Sequence, residues 1–322
     1  MLIRFYRRLT TEFSIFIFYS VLFTINNFMR KLLLSIVTFF FFHSFLYSQD
    51  MAQVRKDFED QLKNGKVPYG SNPATGKFYD IRGFKMYCEI YGEGQPLLII
   101  HGNGGSINNF IYQIPYFSKK YKVIIADSRA QGKSKDDGDS LSYEMMADDY
   151  AALLSALKVD SAFVIGWSDG GIEGLLLAIR HPEKVKKLAI TGANIVPDTT
   201  AVPQEIWDVV MPSYTALKNK AVKTPQEKNE WKLVQLLAAQ PHIPIRDLNK
   251  IKIPTLVIGG DHDVIKPSHT LLIFQNIPNA DLWILPNSGH STPVVYKDDF
   301  NKNVDNFFSM PFRKIEKEAR FF

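Results

Sequence analysis

The sequence predicts an α/β fold in which helices cover both faces of a mostly parallel β-sheet, with a helical cap inserted between two strands. Three observations favour this fold. Continuous apolar runs of four residues, such as Leu97–Ile100 and Val123–Ala126, are too short for helices and are typical of buried parallel strands. Segments with helical spacing alternate with these runs, as in parallel α/β proteins. The alternation stops between residues 195 and 248, where amphipathic helices are predicted instead.

The first elements along the chain follow from local patterns. Residues 50–76 are polar and contain several turn signals, so we expect a lead-in that wraps the surface. Apolar and polar side chains alternate over residues 77–81 and 84–91, which predicts a β-hairpin at a sheet edge. Ser142 is a good N-cap residue, and the apolar spacing after it predicts a helix over about 143–158.

The later elements continue the same alternation. The run 161–165 predicts a strand, and residues 172–179, apolar nearly all round, predict a helix buried against the sheet that ends at Pro182. Three further strands and a closing helix are predicted at 185–190, 255–259, 282–285 and 299–308. Because ligands of parallel sheets bind outside the carboxyl ends of the strands, the residues that follow each strand are candidates for a site.

The inserted segment carries two helix signals. Thr224-Pro-Gln-Glu227 has the spacing of a capping box with proline at the first helical position. Before it, Trp207, Met211 and Tyr214 fall on one helical face. We expect two or three amphipathic helices to form a cap over the site, and its aromatic residues either to pack the cap onto the core or to contact substrate.

Composition and charge narrow the function classes. The chain is 46% hydrophobic and 22% charged, which supports a sizeable core. Its formal net charge is +5, but residues 1–48 hold five basic residues against Glu12 alone, a net charge of +4. The rest of the chain therefore carries only +1, and the main support for nucleic-acid binding is lost.

The N-terminus predicts export. Residues 29–48 have the charged start, the apolar run (Leu32–Phe42) and the polar exit of a secretory signal peptide, with cleavage near Ser48. A second apolar run, Phe13–Phe23, precedes it, and neither run reaches the roughly 20 residues of a comfortable membrane span. We expect a secreted or periplasmic protein that meets the membrane only through this segment; the alternatives are an uncleaved membrane anchor or a pair of short spans. The predicted organisation is a targeting region at 1–48, a core at 49–194 and 249–310, a cap at 195–248 and a tail at 311–322.

The strand-end residues include the groups that acyl transfer by serine requires. Ser168 lies in a Gly-x-Ser-x-Gly motif between a predicted strand and a predicted helix, the context of a nucleophile held on a tight turn. His290 follows the last strand and is the candidate base, and Asp263 or Asp261 follows the preceding strand and is the candidate acid. The order Ser, Asp, His is that of one hydrolase architecture and differs from the chymotrypsin and subtilisin orders.

Five motifs in this order resemble the α/β-hydrolase superfamily, from about Phe78 to Phe308. They are His101-Gly102, Asp127-x-Arg129-x-x-Gly132-x-Ser134, Gly166-x-Ser168-x-Gly170, Asp263 with Pro267 after it, and Gly289-His290. The resemblance implies that Asp263 rather than Asp261 is the acid, and that the backbone N–H groups of Asn103 and Asp169 are the oxyanion donors. Ala130 departs from the family pattern, which frequently has glycine there.

The turn Gly-Trp-Ser-Asp-Gly-Gly is also similar to the biphenyl-hydrolase-like, or valacyclovir-hydrolase-like, branch. Its distinctive residue is Asp169, a carboxylate next to the candidate nucleophile. One hypothesis is that Asp169 attracts a cationic group of the substrate; the alternative is that the helix dipole favours a carboxylate at this position. Candidate substrate-binding residues are Asp169, Trp167, Trp207, Met211 and Trp231.

These inferences predict a serine hydrolase that acts on a small-molecule ester, thioester or amide through a triad of Ser168, Asp263 and His290, with no cofactor and no metal. Carbon–carbon bond hydrolases and cofactor-free perhydrolases use the same triad and remain alternatives. An inactive binding module is the alternative from another class. The least favoured interpretation is a metal site formed by Asp261, His262 and Asp263, because adjacent residues at a strand end point in different directions. The oligomeric state is not predicted.

Overall fold

The computed structural model describes residues 52–315 together with residues 319 and 321. The targeting segment predicted at 1–48 and most of the tail beyond residue 315 lie outside the described residues. The chain divides into two units, Met1–Glu59 and Asp60–Phe322. Apart from the helix at residues 52–64, which begins in the first unit, everything that follows concerns the second. No helix within the described residues is long and apolar enough to cross a membrane.

One eight-stranded sheet organises this unit, which confirms the predicted fold class. The strands, in chain order, are β1 (Lys77–Ile81), β2 (Phe84–Tyr91), β3 (Gln95–Ile100), β4 (Tyr121–Ala126), β5 (Ala162–Trp167), β6 (Val185–Thr191), β7 (Thr255–Gly260) and β8 (Ala280–Leu285). Their spatial order is β1-β2-β4-β3-β5-β6-β7-β8. β2 pairs antiparallel with both β1 and β4, so it alone runs against the other strands, and all remaining neighbours pair in parallel.

The short apolar runs form the central strands because both of their faces are buried. In β3, Leu98 and Ile100 belong to one hydrophobic cluster, and Leu97 and Ile99 belong to another on the opposite face. All four side chains are inaccessible to solvent. A strand with two buried faces needs apolar residues at every position, which explains the absence of alternation in these runs.

Helices cover both clusters. Their bounds are α1 (52–64), α2 (Gln113–Phe117), α3 (Tyr143–Ala156), α4 (Asp169–Arg180), α5 (Gln204–Asn219), α6 (Pro225–Ala239), α7 (Ile245–Leu248), α8 (Pro267–Asn276), α9 (Thr292–Val295) and α10 (Lys297–Ser309). Residues of α3, α4 and α8 pack on the first cluster, and residues of α2 and α10 pack on the second. The predicted N-cap of α3 is confirmed, because the Ser142 hydroxyl accepts a hydrogen bond from the backbone N–H of Met145.

Two parts of the fold differ from the expectations. Residues 52–64 form a helix where only a polar lead-in was expected. Its apolar residues Val54, Phe58 and Leu62 recur at helical spacing, although most of its side chains are exposed. The turns after it are held on the sheet, because the buried carboxylate of Glu89 accepts hydrogen bonds from the backbone N–H groups of Gly70 and Asn72. The short helices α2 and α9 and the ten-residue α8 were also not expected.

The segment between β6 and β7 contains α5, α6 and α7. The capping box of α6 is present, formed by Thr224 and Glu227. This helix is fastened to the core, because the buried Lys232 ammonium donates to the Asp136 carboxylate and backbone and to the carbonyl of Gly138. By contrast, none of the described side chains of α5 is fully buried. Helices α5 and α6 are therefore held to the core to different degrees.

Candidate active site

Ser168 lies on a strained turn between β5 and α4. Its backbone has φ 59° and ψ −123°, a conformation that costs a non-glycine residue free energy and is found at functional sites. The turn is tight enough that a side chain at Gly166 would collide with the Gly170 carbonyl, and one at Gly170 would collide with the Ile100 carbonyl. Glycines are therefore required at both positions, and together they lift the Ser168 hydroxyl above the carboxyl end of the sheet.

Ser168, His290 and Asp263 form one hydrogen-bonded row. His290 Nε2 lies 2.9 Å from Ser168 Oγ, and His290 Nδ1 lies 2.6 Å from Asp263 Oδ1. The Asp263 side chain is completely buried, whereas His290 keeps about a quarter of its side chain exposed. An ionised carboxylate only accepts hydrogen bonds, so Nδ1 carries the proton and Nε2 is left as an acceptor toward the serine hydroxyl. This is the arrangement that a serine nucleophile and its base require.

Asp261 has a different role in the fold. Its carboxylate accepts hydrogen bonds from the backbone N–H groups of Asn287 and Ser288, at 2.9 and 3.0 Å, and lies 2.8 Å from His262 Nδ1. These bonds, the one from Asn287 first, lower the pKa of Asp261 to about 2. Asp261 thus shapes the loop that presents His290, and only Asp263 contacts the imidazole.

Two neighbouring residues hold His290 in place, and the sequence did not identify either of them for this role. The Trp167 indole N–H donates to the His290 carbonyl at 2.9 Å. Gly192, just after β6, has φ +64°, and a Cβ there would lie 2.6 Å from His290 Cε1. The imidazole therefore packs directly against a backbone that has no side chain. A glycine after a strand is too common to mark this contact from sequence alone.

The loop after β3 lies beside Ser168. A Cβ on Gly102 would lie 2.9 Å from Ser168 Cβ, so the loop backbone approaches the serine as closely as glycine permits. The next backbone N–H is that of Asn103, and the N–H that follows Ser168 is that of Asp169. Neither N–H donates to an acceptor within the described residues. Both remain available for an oxygen atom bound at Ser168.

The Asp169 carboxylate lies beneath this loop. It accepts a hydrogen bond from Asn103 Nδ2 at 2.9 Å, and the hydroxyl of the fully buried Tyr143 is a second donor to it. Burial raises the pKa of Asp169 to about 6, while the bonds from Asn103 and Tyr143 and the nearby imidazole of His290 oppose this rise. Tyr143 was predicted only as the start of a helix, because its contact with Asp169 depends on how α3 packs against α4.

Another buried acid lies one turn further along α4. Glu173 is inaccessible to solvent, and neither of its carboxylate oxygens has a hydrogen-bond partner among the described residues. Burial and the nearby acids Asp169 and Asp149 raise its pKa well above the usual range of glutamate. Its only sequence signal is a single acid in an otherwise apolar run.

A cavity of about 90 Å³ opens onto Ser168 and His290. Its walls are mainly apolar, and the residues that supply them are Val202, Ile206, Trp207, Val210, Leu237, Val264 and Ile265. Tyr143, Asp169, Asn194 and Gln240 add polar groups. The segment between β6 and β7 therefore covers the serine and supplies most of the apolar surface near it.

Of the five candidate substrate-binding residues, the structure brings only Asp169 and Trp207 to this cavity. Trp167, Met211 and Trp231 are not among the described residues that line it. Trp167 lies behind His290, Met211 is 38% exposed, and Trp231 packs on Tyr214 with the ring centroids 5.2 Å apart. Met211 shares the predicted face of Trp207, but it is Ile206 and Val210 of the same helix that line the cavity. Helical spacing predicts which residues share a face but not which of them reaches the site.

Comparison with known proteins is consistent with this geometry. A family profile described as alpha/beta hydrolase fold matches residues 95–241. The serine hydrolase BPHL of Mus musculus is 27% identical, over 70% of this chain and 84% of that protein. A 2-hydroxy-6-oxononadienedioate/2-hydroxy-6-oxononatrienedioate hydrolase of Comamonas testosteroni is 26% identical, over 73% of this chain and 96% of that protein. Among solved structures, the enol-lactonase of Burkholderia xenovorans LB400 superposes with a TM-score of 0.63 at 21% identity, over 73% of this chain and all of that one.

Proposed function

The chain belongs to the α/β-hydrolase superfamily, and from this premise we propose that it is a serine hydrolase that cleaves a small to medium carboxylic ester, thioester or amide through an acyl-enzyme. The observation that carries the proposal is the row of Ser168, His290 and Asp263, with separations of 2.9 and 2.6 Å, at the mouth of a cavity. The similarity to a named serine hydrolase supports the same class.

The first half-reaction acylates Ser168. Its Oγ attacks the carbonyl carbon of the substrate while His290 Nε2 takes the hydroxyl proton, and Asp263 stabilises the imidazolium that results. The carbonyl oxygen becomes an oxyanion, which the backbone N–H groups of Asn103 and Asp169 bind. Each such donor contributes on the order of 3 kcal/mol in the transition state. The imidazolium then protonates the leaving group, whose bond to the acyl carbon breaks.

The second half-reaction releases the acid. His290 Nε2 takes a proton from a water molecule as the water oxygen attacks the acyl carbon, and the same two N–H groups bind the second oxyanion. The bond to Ser168 Oγ breaks as the imidazolium returns the proton to it. The products are a carboxylic acid and the alcohol, thiol or amine released earlier. No other reactant is consumed besides water.

The cavity favours a short acyl group. Its volume of about 90 Å³ is less than the roughly 150 Å³ of an engineered cavity that admits benzene. Its apolar walls stabilise hydrocarbon rather than charged acyl chains. Acyl groups of a few carbon atoms are expected to fit without displacement of α5, a helix that has no fully buried side chain among the described residues.

The test is hydrolysis of p-nitrophenyl esters from acetate to octanoate by the protein and by its Ser168→Ala variant. We expect hydrolysis that depends on Ser168, with an optimum at short acyl chains. Hydrolysis that persists in the variant would refute the role of Ser168. Protein that hydrolyses no ester but still reacts with a fluorophosphonate would favour amides or carbon–carbon bonds, and protein that does neither would favour the binding-module alternative.

Carbon–carbon bond hydrolysis is the second candidate. A specific observation favours it, namely the similarity over 96% of the Comamonas testosteroni hydrolase named above. The same serine, histidine and oxyanion donors would serve, with a carbon rather than an oxygen leaving group. Turnover of the substrate named for that relative, measured against p-nitrophenyl acetate, separates the two candidates. Higher kcat/KM on the ester retains our first proposal.

We also propose that the protein is exported through its N-terminal segment. The support is the signal-peptide pattern of residues 29–48. N-terminal sequencing of the mature protein tests it: a new N-terminus near Ser48 is expected, and an intact N-terminus on membrane-bound protein would favour the anchor instead.

A further inference from the structure

The side chains of the two residues that supply the oxyanion N–H groups are bonded to each other. Asn103 Nδ2 lies 2.9 Å from Asp169 Oδ2, although the two residues are 66 positions apart in the sequence. A hydrogen bond to an ionised carboxylate is stronger than one between neutral groups. The two backbone donors are therefore linked through their own side chains as well as through the fold.

The Asn103 amide is held from a second side. Its Nδ2 also donates to the Leu233 carbonyl of α6 at 3.3 Å, so both of its N–H groups are used. The opposite orientation of the amide would place an oxygen against a carboxylate and a carbonyl, which both only accept. The chemistry therefore fixes the orientation of the side chain. Lys232, which immediately precedes Leu233 in the chain, anchors α6 to the core.

Among the described residues, the other hydrogen bonds of loop residues 102–105 are local, such as the one between His101 Nδ1 and the Gly102 carbonyl at 2.8 Å. Gly102, Gly104 and Gly105 surround Asn103, and glycine carries the largest conformational entropy of any residue. The Gly102 carbonyl accepts a hydrogen bond from the Gly105 N–H, which closes the turn locally. Within the described part of the chain, the Asn103 side chain is the one that connects the middle of this loop to both α4 and α6.

From these contacts we infer that Asp169 is a positioning residue: by accepting the hydrogen bond from Asn103, its carboxylate holds the Asn103 N–H and its own N–H at the spacing that the oxyanion requires. This inference rests on the proposed function and assigns a role to Asp169 that does not involve contact with substrate. It predicts that loss of the carboxylate slows every ester, whether the ester is charged or neutral. Binding of a substrate cation would instead affect only cationic esters.

The test is a double-mutant cycle of Asp169→Ala and Asn103→Ala in the full chain, with p-nitrophenyl acetate as a neutral substrate. Both substitutions keep the backbone donors and remove the side-chain bond between the two residues. Asn103→Ala also removes the bond to the Leu233 carbonyl, and Asp169→Ala also removes the bond from Tyr143. We expect each to lower kcat by about 10- to 100-fold and to change KM by less than about threefold, since loss of a whole oxyanion donor costs 10²- to 10³-fold. The double variant should be no slower than the slower single variant.

Asp169→Asn and Asn229→Ala are the matched variants. Asp169→Asn keeps an oxygen that can accept a hydrogen bond from Asn103. It should therefore recover most of the kcat lost in Asp169→Ala, and it serves as a test even if Asp169→Ala folds poorly. Asn229→Ala removes another amide bond between α6 and the core, to the Ala130 carbonyl at 2.8 Å, without contact to the loop. Its effect on kcat should be small and should multiply with that of Asp169→Ala.

Three results would overturn the inference. The first is a kcat of Asp169→Ala on p-nitrophenyl acetate that stays within twofold of the wild-type kcat. The second is a double variant whose loss of kcat equals the product of the two single losses. The third is an Asp169→Asn variant that does not recover the kcat lost in Asp169→Ala. An increase in KM confined to an aminoacyl ester would assign Asp169 to substrate binding instead. Activity that survives Ser168→Ala would overturn the proposed function itself, so the two failures are distinguishable.

Discussion

Substitution of Gly192 by alanine should damage the site through a single contact. The new Cβ would lie 2.6 Å from His290 Cε1 and 2.8 Å from His290 Nδ1. The imidazole must move by at least about 0.8 Å to reach the 3.4 Å at which ordinary van der Waals contact begins. The backbone at Gly192 cannot easily move instead, because its N–H donates to the Ile258 carbonyl of β7 at 3.3 Å.

This displacement should lower kcat/KM by about 100-fold, because misplacement of a reacting group by about 1 Å costs that much. The separation of 2.9 Å between His290 Nε2 and Ser168 Oγ would lengthen or lose its alignment. The assay is steady-state hydrolysis of p-nitrophenyl acetate together with the rate of fluorophosphonate labelling of Ser168. Both rates depend on deprotonation of the serine, so both should fall together.

Gly83→Ala is the matched control. Gly83 also has a positive φ, of +88°, but no described atom lies within 4 Å of the position of its Cβ. Both variants incur the roughly 1–2 kcal/mol that a left-handed conformation costs alanine, measured as the free energy of unfolding in urea. Only Gly192→Ala should lose activity. If its kcat/KM stayed within threefold of that of Gly83→Ala, the argument that Gly192 makes room for His290 would be refuted.

Three further predictions concern residues around the site. Asp263→Asn should lower kcat by about 10⁴-fold because it leaves the imidazole in the wrong tautomer, whereas Asp261→Asn should reduce stability and keep most of kcat; equal losses in steady-state assays would contradict this. The pKa of Asp169 rises from 3.8 to about 6 on folding, so the folded state binds the Asp169 proton more tightly than the unfolded state does. The stability that this proton contributes is therefore fully present below pH 3.8 and is lost as the pH rises through 6. Asp169→Asn should therefore stabilise the protein by up to about 3 kcal/mol at pH 8 relative to its effect at pH 3.5; an effect independent of pH in urea unfolding would contradict it. Ala130 has φ +64°, so Ala130→Gly should raise the free energy of unfolding by about 1 kcal/mol; a lower unfolding midpoint in urea would show that the buried methyl group outweighs the strain.

The Ala130 position illustrates how a departure from a family pattern acquires a physical meaning. The sequence shows only an alanine where related proteins frequently have glycine. The structure places this alanine in the left-handed region, which explains why glycine is favoured there. The Ala130 carbonyl also accepts the hydrogen bond from Asn229, so the strained conformation serves a contact between the core and α6.

The sequence by itself determined the parts of this protein whose cause is local. Runs such as Leu97–Ile100 predicted buried strands because every position of a doubly covered strand must be apolar. The capping box at Thr224 and the N-cap at Ser142 predicted helix starts because the bonds they form span three residues. The turn at Ser168 was predicted from its local motif, and the requirement for Gly166 is local as well, because a Cβ there would meet the Gly170 carbonyl within the turn.

Only the tertiary structure decided which distant residues meet. The choice between Asp261 and Asp263 was open on the residues alone, because both follow the same strand, and it depended on how each carboxylate faces the loop that carries His290. The contacts of Gly192 with His290 and of Asn103 with Asp169 join residues 98 and 66 positions apart. Such pairs leave no periodic signal in a single sequence, because they depend on how separate elements pack against each other rather than on the pattern within any one of them.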